Sequence, residues 1–266
     1  MQTEISPHRI RQLIIEQSKR AHVGHIGSSL SIVEIITALY RDVLRVEDTA
    51  SPEHDRFILS KGHAALALYS ALYLRGWITE EELNSYCGDA SRLGVHPEHA
   101  LNGVDFSVGS LGQGLSFGAG SALAARLRGS SRRVFVLVSD AECNEGALWE
   151  AAMFAAHHRL SNLTAIVDLN GQQAFGYTAE VLSLSPMSER WRAFGWDVRE
   201  VDGHDVEELT QVMKENEETG GRPRVVIART TFGKGVSYME GQIKWHYYPM
   251  SEQEYTVALE ELGKSA

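Results

Sequence analysis

With 266 residues, 43% of them hydrophobic and 23% charged, the chain is long enough to bury a full core in one large domain. A formal net charge of −10, with no block of Lys or Arg, excludes a nucleic-acid backbone as a main partner. The polar stretch Met1 to Arg20 lacks the apolar core of a signal peptide, so none is expected there, and no later run reaches the roughly 20 apolar residues of a membrane span.

In chain order, residues 6–20 read as a helix, with Ser6 as cap, Pro7 in the first turn and Ile10, Leu13 and Ile14 at helical spacing. A Gly-rich break, "HVGHIGSSL", precedes an amphipathic segment from about Ile32 to Val43. Helices are predicted at 62–75, 79–87 and, after a long loop, 113–128. Then "RRVFVLVSD" and "LTAIVDLN" form apolar runs either side of a helix at 145–159. "GWDVREVDG", a helix at 205–217 and "PRVVIARTT" complete four β-type runs separated by helices. That alternation predicts a single α/β domain over 1–266, a parallel sheet flanked by helices. Residues from about 232 read as a long loop and tail, and long loops in compact domains are often functional. Cys87 and Cys143 form no close pair, so neither a disulfide framework nor a zinc knuckle is indicated and a cytoplasmic location is expected.

The chemistry starts at two strand ends. "VLVSDAE" leaves Asp140 beyond one apolar run and "AIVDLNG" leaves Asn170 beyond the other. Ligands of open parallel sheets bind beyond the carboxyl ends of strands. A carboxylate, an amide oxygen and the nearby carbonyl of Gln172 form a hard-oxygen set suited to Mg²⁺ and a phosphate-bearing partner. The helix starting near Glu145 aims its N-terminus at the same crevice. On the residues alone, capping and turning at strand ends explain Asp140 and Asn170 equally well. "GQGLSFG" imitates a dinucleotide loop, but no strand precedes it, and Gly114, Gly118 and Ala122 more simply allow close helix packing. "FGKGVS" lacks Walker spacing, so Lys234 is no P-loop lysine, and His157 and His158 fall on a helix with no catalytic motif.

The segment "SDAECNEGALWEA…NLTAIVDLNG" resembles the thiamine diphosphate signature, G-D-G followed at an interval by Asn. "AHVGHIGSSLS", "FILSKGHAALALYSALYLRG", "VHPEH", "GSLGQGLSFGAG", "FGWDVREVDGHD" and "TTFGKGVSYMEGQIKWH" are similar, in order and spacing, to the N-terminal region of transketolases. The resemblance implies that Asp140, Asn170 and the Gln172 carbonyl hold Mg²⁺. It places His63 and His246 on the cofactor's diphosphate, and His25 and His96 on the hydroxyls of the transferred two-carbon unit. Gly109 and Leu111 would touch the aminopyrimidine, Ala141 and Glu142 would complete the cofactor contacts, and Glu145 would join an acidic network between two cofactor sites. Imidazoles suit such chemistry because their unperturbed pKa lies near neutrality.

One departure from the family is Ser139-Asp140-Ala141 in place of G-D-G. If position 141 requires positive φ, Ala costs about 1 kcal/mol. The other is length: the pyrimidine-binding domain with its activating glutamate is expected on a partner chain, in a heterotetramer built on a dimer of this chain. The leading expectation is a subunit, inactive alone, of an enzyme transferring a ketol unit between sugars or sugar phosphates. The alternatives are an inactive cofactor-binding or regulatory subunit, and the α subunit of a 2-oxo-acid dehydrogenase, whose chains lack this histidine pattern.

Overall fold

The computed structural model describes residues 4–215 and 220–264. Helix α1 (Pro7–Ala21) begins where Ser6 is extended and its Oγ accepts the Arg9 N–H at 3.3 Å. It ends at His22, whose φ of 54° is left-handed. Short helices α2 (Ile26–Leu30) and α3 (Val33–Ala38) follow, α3 widening into a π-type turn over Leu39–Val43. Strand β1 (Arg56–Leu59) leads through a tight turn at Gly62–Ala64 into α4 (Ala65–Leu74). Then come α5 (Glu80–Asn84), α6 (Gly114–Leu127), β2 (Val134–Ser139), α7 (Gly146–His157) and β3 (Leu163–Leu169). A two-stranded hairpin, β4 (Gln172–Gln173) and β5 (Gly176–Tyr177), precedes α8 (Thr178–Val181), α9 (Met187–Ala193), β6 (Asp197–Asp202) and α10 (Val206–Lys214). The chain closes with β7 (Arg224–Arg229), α11 (Lys244–Tyr247) and α12 (Glu252–Lys264).

Five strands form one parallel sheet in the order β1-β2-β3-β7-β6. Side chains alternate across a strand, so Phe135 and Leu137 face one apolar layer while Val134, Val136 and Val138 face the other. The first layer gathers Ile10, Ile36, Leu68, Leu209 and Leu262 from α1, α3, α4, α10 and α12. The second gathers Leu115, Ala122, Leu148 and Trp191 from α6, α7 and α9. Burial on both faces is why the strands read as continuous apolar runs. Helix α6 reaches β2 closely because Gly118 has no side chain: a methyl there would collide with Val136.

The structure adds and trims elements. Strand β1, four residues long, has no pattern of its own in the sequence. The helix predicted over 79–87 is only Glu80–Asn84, because Cys87 turns left-handed at φ 54°. Over 145–159 the helix is Gly146–His157, preceded by a 3₁₀ turn at Ala141–Asn144. The helix predicted at 205–217 runs Val206–Lys214, and its last two predicted positions lie outside the described residues. The loop and tail predicted from 232 contain α11 and the 13-residue α12, which packs on α1. No helix among the described residues is long and apolar enough to cross a membrane.

Candidate functional site

Beyond the carboxyl ends of β1, β2 and β3 lies a cavity of about 420 Å³. Its wall includes His25, Ser28, His63, His96, Gly109, Leu111, Ala141, Glu145, Asn170, Gln172 and His246. Four histidines from segments spread over most of the chain therefore meet in one place. His25 lies before α2, His63 in the turn after β1, His96 in the loop before α6 and His246 on α11. The rings of His25, His63 and His246 form a triangle with centroids 5.3–5.4 Å apart.

Local sequence explains the closeness. A methyl on Gly24 would collide with the Tyr247 carbonyl, and one on Gly27 with the Phe232 ring. Only this glycine-flanked segment lets His25, itself left-handed at φ 60°, sit against the turn that carries His246. Such strained backbone persists where surrounding packing over-determines it. Ser28 Oγ and His63 Nε2 are 2.8 Å apart. His25 Nδ1 and His246 Nδ1 are buried without a hydrogen-bond partner.

Asp140 and Asn170 follow adjacent strands, and Asp140 Oδ2 accepts the Gly171 N–H at 2.8 Å. Asp140 is 3% exposed and faces an adjoining cleft rather than the histidine cavity itself, forming part of the partition between them. Burial, with Asp168 behind it, pushes its carboxyl up to about 7. Asn170 Oδ1 accepts the Gln172 N–H at 2.9 Å, and Gln172 Oε1 is a buried acceptor without a donor. Ala141 lies in the 3₁₀ turn and is absent from the positive-φ residues, so the conformational cost that a left-handed Ala would carry does not arise. Glu145 caps α7 at the cavity wall.

Glu142 lies away from the cavity that Ala141 borders. It is fully buried behind the wall, where its carboxylate accepts from Ser60 Oγ, from the Gly112 N–H at 2.7 Å and from the Ser139 N–H at 3.2 Å. In a 3₁₀ turn the residue after Ala141 points back beneath the sheet end, so Glu142 holds the "GSLGQG" loop and does not line the cavity. Sequence reasoning also misses Lys61 and Asp168, both wholly buried and paired at 2.5 Å. The available signal is an aspartate inside an apolar strand, since buried charges require a partner.

Residues 3–266 match the family model described as "Transketolase, thiamine diphosphate binding domain". The chain belongs to the transketolase family. It is 39% identical to an apulose-4-phosphate transketolase subunit from Phocaeicola vulgatus, covering 98% of this chain and 94% of that one. It is 38% identical to the 6-deoxy-6-sulfo-D-fructose transketolase subunit SqwG of a Clostridium species, covering 96% and 94%. Among solved structures, a Pichia stipitis transketolase in complex with sedoheptulose 7-phosphate superposes with a TM-score of 0.90 at 29% identity, covering 97% of this chain and 40% of that one. The chain thus spans nearly all of the two subunits and about two fifths of the solved transketolase. The family match also removes the 2-oxo-acid dehydrogenase alternative.

In this transketolase-family domain the residues fit the cofactor that the family implies. A buried carboxylate with no cationic side chain bonded to it and an amide oxygen on the adjacent strand end suit a divalent cation. The orphaned nitrogen of His246 suits the diphosphate. Burial is the main cause that lowers the pKa of all three clustered histidines, and it brings His246 to about 4, assisted by His25 and Lys61. Groups facing His246 are His25, His63, Phe232 and Tyr247, with Lys61 acting through space. The unfolded chain then binds more protons than the folded one between about 4 and 6.5, so stability rises with pH across that window. The cofactor-free domain should lose stability as pH falls from 6.5 toward 4, by up to about 3 kcal/mol from His246. Urea titrations at stepped pH check this: His246→Gln should flatten the slope, and an unchanged slope would refute the neutral-histidine assignment.

Proposed function

We propose that the chain is the diphosphate-binding subunit of a split transketolase, dependent on Mg²⁺ and active only with a partner subunit. It moves a two-carbon ketol unit from a ketose, phosphorylated or otherwise anionic, to an aldose. The observation that carries this reading is the convergence of His25, His63, His96 and His246 on one cavity at the carboxyl end of the sheet. Further support comes from relatives of matching length that are named as subunits. Their names carry a phosphorylated and a sulfonated sugar, consistent with an anionic donor here.

In this reading Asp140, Asn170 and the Gln172 carbonyl hold Mg²⁺, and His63 and His246 hydrogen-bond the diphosphate. Gly109 and Leu111 border the aminopyrimidine. The bound cofactor supplies carbanion stabilisation, which no protein side chain provides. His25 and His96 bind and orient the hydroxyls of the two-carbon unit, and imidazoles there can accept and return protons. Glu145, at the N-terminus of α7, contributes to an acidic link between two sites across a dimer. The exposed apolar side chains Phe117, Met153 and Phe154 on α6 and α7 suit that contact. Two copies of each chain around a two-fold axis follow.

Substitution separates the roles. With partner, Mg²⁺ and thiamine diphosphate present, His25→Ala and His96→Ala should each lower kcat/KM for the ketose about 10- to 100-fold through a lost substrate hydrogen bond. Cofactor dissociation constants, measured by calorimetry, should stay unchanged. Wild-type kcat/KM in both variants would remove the substrate-binding assignment.

A further inference from the structure

Asp168 stands two residues before Asn170 on β3 and is wholly buried. Its carboxylate accepts from Lys61 Nζ at 2.5 Å, Ser31 Oγ at 2.8 Å, Thr230 Oγ1 and Asn170 Nδ2 at 2.8 Å. These donors come from the turn after β1, the junction of α2 and α3, the end of β7 and the end of β3. Lys61 also donates to the Ser28 carbonyl at 3.1 Å, and the Ser28 hydroxyl in turn meets His63.

A carboxylate held by a lysine offers only acceptors. Asn170 must therefore turn its NH₂ toward Asp168, which leaves Oδ1 on the opposite side, where it accepts the Gln172 N–H. The side-chain amide is fixed twice, once by an obligate acceptor and once by an obligate donor. We propose that the buried Asp168–Lys61 pair is a positioning device that sets the orientation of the Asn170 amide, so that Asn170 offers the cation an oxygen rather than an NH₂ group. The inference rests on the cofactor reading above, and it assigns a task to two residues that do not line the cavity.

A purely structural ion pair is the contrary case. Buried pairs are often replaced by apolar residues of similar volume without loss of stability, so Asp168→Leu/Lys61→Met separates the two. It should still melt cooperatively, at a lower temperature because Ser31, Thr230 and Asn170 lose their acceptor, and bind Mn²⁺ with thiamine diphosphate about 10- to 100-fold more weakly by electron paramagnetic resonance. Independently of any cofactor, the Asn170 side-chain amide is identified as the ¹⁵N cross-peak pair lost in Asn170→Asp. Its protons should be protected from solvent exchange in the wild-type chain and unprotected in the double variant. Asp168→Asn/Lys61→Met keeps one acceptor oxygen and should restore both protection and most of the affinity. A folded Leu/Met variant with unchanged Mn²⁺ affinity and a protected Asn170 amide would overturn the proposal. Failure of the Asn/Met rescue in a folded protein would do the same. Absence of Mn²⁺ binding by the wild-type chain would count against the cofactor reading, while amide exchange would still decide the positioning.

Discussion

Purified alone with Mg²⁺ and thiamine diphosphate, the chain should show no measurable ketol transfer, and adding its partner subunit should raise the rate at least about 10²- to 10⁴-fold, the range of a missing general acid–base group. Among the described residues, Glu145 is the one carboxylate in the histidine cavity wall, and it sits at the N-terminus of α7. Transketolase-type chemistry needs a further acid to move a proton at the aminopyrimidine, and the resemblance places it on the pyrimidine-binding domain. The rim of the cavity is also open and aromatic: Phe175 in its wall is 85% exposed, with Tyr247 and Tyr248 nearby at 52% and 60%. Side chains of that size left in water on a functional rim suit coverage by a second protein surface. The assay is reconstitution: chain, candidate partner, or both, with a ketose donor and an aldose acceptor. Full turnover by this chain with no partner present would defeat the split-enzyme reading.

Asp140→Ala should cut the activity of the reconstituted enzyme by more than about 100-fold, since disturbing even the partners of metal ligands costs 10- to 100-fold. It should do so without unfolding the chain. The substitution removes two hydrogen bonds, from the Gly171 and Ala141 N–H groups at 2.8 Å, but it also removes a buried carboxylate with no bonded cation. Those two effects on folding oppose each other, whereas, on the proposed reading, the loss of a carboxylate ligand for Mg²⁺ has nothing to offset it. Calorimetric titration with Mg²⁺ and thiamine diphosphate, beside a thermal melt, distinguishes them. Retention of Mg²⁺-dependent activity within tenfold would show that Asp140 is only a turn residue, as its hydrogen bonds alone permit.

Much of this was legible along the chain because parallel strands buried on both faces leave uninterrupted apolar runs. "VFVLVS" and "LTAIVDL" became β2 and β3, and the residues just after them lie beyond the sheet end. The short β1 was not legible, since four residues carry too little periodicity to separate a strand from a helix approach. Helix α12 was hidden for a different reason. Its apolar face, Tyr255, Ala258, Leu259 and Leu262, directly follows an aperiodic stretch and acquires meaning only when packed on the core.

By itself the sequence determined the α/β class, the family and the kinds of polar atoms at the strand ends, because these depend on local pattern and on motifs read in order. Tertiary structure alone decided which of those atoms share a space. His246 meets His25 because the glycines around His25 admit Tyr247 and Phe232. Glu142, next in line to a cavity residue, turns away to Ser60 and Gly112. Asp168 finds Lys61 across 107 positions of sequence. Adjacency along the chain constrains backbone direction, whereas the partner of a buried polar group is chosen by whichever distant segment the packed core brings within hydrogen-bond reach.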